Sequence, residues 1–148
     1  MGEIFGSIYC WFEDFFGLEL ADYLWGISSP LQTTNMFVSF GLVMLGLSAL
    51  FMVVFYYVLN HPKCNTWWGW LIFLVLNAGG NFIYGWQCLR SDFYNDKMVD
   101  ANGDALVGIA ESNFLCFGVS NAILSLVCFF FFSVVGKWWS TNCSHTPF

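Results

Sequence analysis

Charge is scarce in this chain: Asp, Glu, Lys and Arg together make up 9% of its 148 residues, against about 25% in an ordinary soluble domain. A single water-soluble core is excluded on that ground. Bases are rarer than acids, four Lys plus Arg against ten Asp plus Glu. The electrostatic footprint of a nucleic-acid binder is therefore missing. No Asp, Glu, Lys, Arg or His falls within residues 36–58, 67–89 or 114–136, which removes the coupling residues of an ion or proton pump. The six cysteines (10, 64, 88, 116, 128 and 143) form no C-x-x-C pair, and His61 and His145 have no spacing suited to zinc. No Ser-His-Asp set, pair of carboxylates or phosphate loop is recognisable, so the chain is not expected to be an enzyme. Basic residues are also absent from the N-terminus, which therefore does not read as a secretory signal. Gly6 stands where a myristoylation motif needs Ser or Thr.

Apolar and aromatic residues fill the space: 58% hydrophobic and 22% aromatic, with 18 Phe and 8 Trp. Residues 36–58, 67–89 and 114–136 are uncharged stretches of 23 residues each. At about 1.5 Å per residue such a helix is roughly 34 Å long, enough to cross a hydrocarbon core of about 30 Å. The expected fold is an all-α integral membrane protein with three transmembrane helices in a single membrane domain. Residues 1–30 form an amphipathic interfacial arm. Within it, residues 3–16 fit a helix with Glu3, Ser7, Cys10, Glu13 and Asp14 on one side and Phe5, Ile8, Tyr9, Phe12, Phe15 and Phe16 on the other. Its polar face is acidic, whereas interfacial anchors commonly use a basic one. Contact with protein, or a less anionic leaflet, is the alternative to an ordinary lipid surface.

The connection at 60–66 is so short that the first two helices should be antiparallel neighbours. The long loop, 90–113, carries five acids. The short connection and the C-terminal tail share one face with Lys63 and Lys137. The N-terminal arm and the long loop share the other, with all ten acids, Arg90 and Lys97. Lys and Arg tie at two per face, so the positive-inside rule alone does not orient the chain. The lysines lie beside the membrane ends, and the expected arrangement puts the acidic face outside and the C-terminus in the cytoplasm. Short loops fit a bacterial inner membrane. All eight tryptophans fall near a membrane interface: 67, 68, 70, 138 and 139 on one side, 11, 25 and 86 on the other.

Counted by depth, Ser48, Asn77 and Ser125 fall at one level near the midplane, and Asn81 and Asn121 at a second level about a turn away. Asn77, Asn81, Gly85 and Cys88 follow one face of the second helix, and Gly118, Asn121, Ser125 and Cys128 one face of the third. These stripes should face each other. They have two readings: small residues and amides that hold helices together, each contributing about 0.6 to 2 kcal/mol, or a polar layer lining a pore formed by several copies. In the second reading Gly79 and Gly80 supply a hinge. The leading expectation is a passive pore or channel built as a homo-oligomer. The alternative is a structural membrane subunit of a larger envelope, secretion or defence complex. The partners expected are the lipid bilayer, further copies of the chain or other membrane subunits, and no nucleic acid.

In the long loop, Asn102-Gly103 between short matching arms signals a two-residue β-hairpin turn. Asp100, Asn102, Asp104 and Glu111 also occupy positions 1, 3, 5 and 12 of a loop that resembles an EF-hand calcium site. Ala105 stands where that loop needs glycine. The hairpin is the favoured reading, and no cofactor other than this calcium candidate is expected. Cys88 and Cys116 lie near the acidic ends of neighbouring helices, so a disulfide is geometrically open to them, with free thiols the default.

Overall fold

The computed structural model describes residues 2–58 and 67–139. The connection at 59–66 and the tail from 140 onward lie outside the described residues, as do the side chains of residues 58 and 137–139. The expectations resting on Lys63, His61, His145, the lysine-side tryptophans 138 and 139, and the antiparallel link fall there.

The described chain is all-helical and contains no strand. The N-terminal segment is α1 (Gly2–Tyr9), a single 3-10 turn (Cys10–Phe12), α2 (Glu13–Phe16) and α3 (Leu18–Trp25). The long helices are α4 (Met36–Val53), continued by a π-helical turn over Val54–Val58, then α5 (Trp67–Tyr94) and α6 (Glu111–Trp139). Among the described residues two helical segments, Met36–Tyr57 and Glu111–Gly136, are long and apolar enough to cross a membrane. The charge-free part of α5 gives positions to tryptophan, asparagine and glycine that the other two give to aliphatic residues.

Local chemistry sets the boundaries. Gly17 separates α2 from α3 with φ at +98°, a conformation that a side chain would strain, and a Cβ there would also lie 2.7 Å from the Asn113 amide nitrogen. Gly26 ends α3 in the left-handed region, and the Gly26 and Ile27 amides donate back to the Tyr23 and Asp22 carbonyls. That is the αL helix stop glycine favours. Asn35 starts α4 by accepting the Phe37 N–H at 2.9 Å, satisfying one orphan donor of the first turn.

By contact density the chain forms two compact units, Met1–Leu42 with Phe82–Asn121, and Val43–Asn81 with Ala122–Phe148. The core of the first is aromatic. Tyr9 stacks on Phe37 and Phe117 with centroids 5.2 and 5.6 Å apart, and Phe16, Phe40 and Phe117 meet edge to face. Each such pair contributes about 0.5–1.5 kcal/mol beyond its buried area. The core of the second gathers Phe55, Tyr56, Trp70 and Phe129.

Two expectations are corrected here. Residues 3–16 do not form one uninterrupted helix. The segment breaks at the 3-10 turn and again at Gly17, and the face expected to meet the membrane buries Tyr9 and Phe16 against Phe37 and Phe117. An amphipathic pattern specifies an apolar face but not what covers it. Nor does the long loop form a strand hairpin. A single antiparallel bridge joins Val99 and Ala105. Only Gly103 of the Asn-Gly pair has positive φ, +89°, whereas the two-residue I′ turn needs both. The Asp100 carboxylate explains the difference, because it accepts the N–H groups of Asn102 and Asp104 at 2.8 and 3.0 Å and so organises a three-residue loop.

Candidate functional site

The mid-helix polar residues are gathered in the second unit, where Asn77 of α5 is the hub. Its amide nitrogen donates to Ser48 Oγ of α4 and to the Ser125 carbonyl of α6, both at 3.1 Å. The Ser48 hydroxyl donates to Asn77 Oδ1 at 3.3 Å. One turn along α5, Asn81 Nδ2 donates to the Asn77 carbonyl at 2.9 Å and to its side-chain oxygen at 3.2 Å. The Ser125 hydroxyl closes on the Ala122 carbonyl of its own helix at 2.7 Å. Ser48, Asn77, Asn81 and Ser125 have no exposed surface. Nearby, Trp70 Nε1 donates to Ser133 Oγ at 3.1 Å, again joining α5 to α6.

Asn121 belongs to the first unit and is equally buried. Its side-chain oxygen accepts the Tyr9 hydroxyl at 2.6 Å. Sequence reasoning missed this bond, since Tyr9 and Asn121 are 112 residues apart and Tyr9 reads as part of an apolar face. Glycines let the helices approach here. A Cβ on Gly118 would lie 3.0 Å from the Phe82 ring, and one on Gly85 would lie 3.4 Å from Asn121 and Phe117. Gly79 and Gly80 differ: α5 runs through both without interruption, and nothing stands within 4 Å of a Cβ added to either.

A second buried cluster pins the acidic loop. Asp92, 6% exposed, accepts from Lys97 Nζ at 2.7 Å and from the Tyr23 hydroxyl at 3.4 Å, while Ser29 Oγ donates to the Lys97 carbonyl at 2.9 Å. Burial, and then the Asp92 charge, hold the Tyr23 phenol well above its ordinary value. The hydrogen bond from Lys97 to Asp92 raises the lysine in turn. Spacing alone carried no signal for this cluster, because Tyr23 and Asp92 lie 69 residues apart.

The four calcium candidates are not gathered around a common point. Asp100 spends its carboxylate on backbone amides, which hold it below the usual carboxylate range, and Asn102 donates its own amide to Asp100. Glu111 instead accepts the Tyr94 hydroxyl at 2.6 Å and lies 4.0 Å from Arg90, whose guanidinium stacks over Trp86 and Tyr94. Among the described residues, no group of three or more His, Cys, Asp or Glu side chains is placed to hold a metal ion. Cys10, Cys88, Cys116 and Cys128 are free thiols, so Cys88 and Cys116 are not bridged.

These arrangements hold segments together by hydrogen bonds between neutral groups and by the pairing of buried Asp92 with the half-exposed Lys97. None of them sets a nucleophile beside a base and an oxyanion donor, the constellation that acyl or phosphoryl transfer requires. Comparison with protein-family models, curated proteins and solved structures returns no match.

Proposed function

We propose that the chain is a three-span integral membrane protein that serves as a structural subunit of a larger membrane assembly, rather than as the wall of a pore. The observation that carries this reading is the engagement of Asn77, fully buried and bonded to both α4 and α6. A helix that shares its midpoint with two helices able to cross a membrane would cross with them, which supports α5 as the third span. Its 67–89 stretch is long enough at roughly 34 Å. The surrounding surface agrees: Leu50, Val53, Ile72, Val75, Leu76, Val127 and Phe131 are exposed while the amides and hydroxyls are inside. Lipid accepts such a surface, and water does not.

A water-filled axis needs the same asparagine side chains free to face it. Here Asn77 and Asn121 are bonded to other segments and Asn81 to Asn77 within α5, which favours the structural reading over the passive homo-oligomeric pore. All ten acids and two bases, Arg90 and Lys97, belong to the unit built from Met1–Leu42 and Phe82–Asn121. Both bases already contact acids. The net charge of −8 left by ten acids and two bases gives a partner subunit an acidic surface to recognise. Three spans put the N-terminal arm and the C-terminus on opposite sides, and Lys63 and Lys137, in short segments beside the membrane ends, favour the C-terminus in the cytoplasm of a bacterial inner membrane with the acidic face outside.

Native mass spectrometry of the particle extracted from its own membrane tests the proposal. The expected result is one copy, or a few copies bound to unrelated subunits. A closed ring of identical copies would overturn it and return the polar layer to a pore.

A further inference from the structure

The apolar arc of the N-terminal segment is wider than the protein covers. Tyr9 and Phe16 are buried, but along the adjoining flank Ile4, Trp11 and Phe15 are 63%, 83% and 53% exposed. Glu3 and Asp14 border that flank and are exposed as well. We propose that the flank formed by Ile4, Trp11 and Phe15 inserts into the headgroup layer of a zwitterionic membrane rich in phosphatidylethanolamine, with Glu3 and Asp14 meeting the ethanolamine ammonium groups.

The inference rests on the three-span reading, and its first support is depth. Tyr9 stacks on Phe37, one residue inside the membrane-crossing segment that begins at Met36, and the Phe5 ring lies against Gly41 one turn further on. A helix held beside the first turns of a span sits at the boundary between headgroups and acyl chains, where tryptophan is favoured. Charge is the second support. Residues 1–30 contain no Lys or Arg, so this border repels anionic lipid where most interfacial helices attract it. A primary ammonium donates hydrogen bonds to a carboxylate, and a zwitterionic headgroup brings no net repulsion.

The test uses the full chain reconstituted into vesicles whose lipids carry bromine just below the headgroup, with tryptophan emission of wild type and W11F compared. In phosphatidylethanolamine and phosphatidylcholine vesicles, the emission lost in W11F should be the strongly quenched part. Replacing half of the lipid by phosphatidylglycerol should weaken that quenching several-fold at low salt. Added salt should restore it by screening the repulsion, and E3Q/D14N should remove the dependence on composition. Trp11 emission quenched by aqueous iodide and untouched by brominated lipid would overturn the proposal, because the flank would then face water or be covered by protein. Equal quenching in both compositions would overturn it too. Alkaline carbonate extraction of the same vesicles separates the two failures, since release of the chain refutes the spans themselves.

Discussion

Tyr9 joins two kinds of interaction at one residue, ring stacking with Phe37 and Phe117 and a 2.6 Å hydrogen bond to Asn121. Tyr9→Phe keeps the stack and leaves the Asn121 oxygen without that donor, which should cost about 1–3 kcal/mol. Tyr9→Ala should cost about 3–5 kcal/mol, as for other large aromatic truncations. Melting temperature in detergent, compared across the pair, checks the order. Tyr23 makes a separate prediction in pH. Its pKa is raised by burial and by Asp92, so the protonated phenol is the form the fold favours. That contribution is complete below the unfolded value, about pH 10, and is lost as pH rises through the higher folded value. Stability should therefore fall above about pH 10, and Tyr23→Phe should flatten that limb. An unchanged alkaline limb in Tyr23→Phe would contradict the assignment. None of this was legible in the sequence, because a hydroxyl on an apolar helix face leaves no periodic trace and its partners lie in distant segments.

At the scale of elements, glycines divide into those that let helices touch and those that do not. A Cβ on Gly118 meets the Phe82 ring at 3.0 Å and its carbonyl oxygen at 3.2 Å, and backbone cannot give as a side-chain tip can. Gly118→Ala should cost about 1–3 kcal/mol. Gly80 has open space around it, so Gly80→Ala should be neutral or stabilise α5 by up to about 1 kcal/mol. Thermal unfolding of the two variants tests this contrast; destabilisation by Gly80→Ala would mean that α5 needs a bend there. Periodicity made much of this scale legible. The stripe through Asn77, Asn81 and Gly85, and that through Gly118, Asn121 and Ser125, place small and polar residues on buried faces, as found. Depth counting likewise put Ser48, Asn77 and Ser125 at one level, and they are hydrogen-bonded. What covers the N-terminal segment was not legible, because lipid and protein interior select the same side chains. The turn was misread because Asp100, two residues before Asn102, caps the loop with its own carboxylate.

For the whole molecule, the distribution of polarity is the main fact. Along the long helices the mid-helix amides and hydroxyls (Ser48, Asn77, Asn81, Asn121, Ser125) are buried while Leu50, Ile72, Val75, Val127 and Phe131 are exposed, and every acid belongs to one unit. In the proposed structural role the asparagine layer holds helices together and conducts nothing. Asn77→Leu separates the alternatives most directly, measured as ion flux across proteoliposomes alongside melting of the same protein. Wild-type vesicles should leak no faster than empty ones, and Asn77→Leu should melt lower with flux unchanged, because Ser48 and the Ser125 carbonyl lose their partner at a cost of about 1–3 kcal/mol. Steady flux through the wild type, altered by Asn77→Leu while the melting temperature holds, would contradict the account and restore the pore.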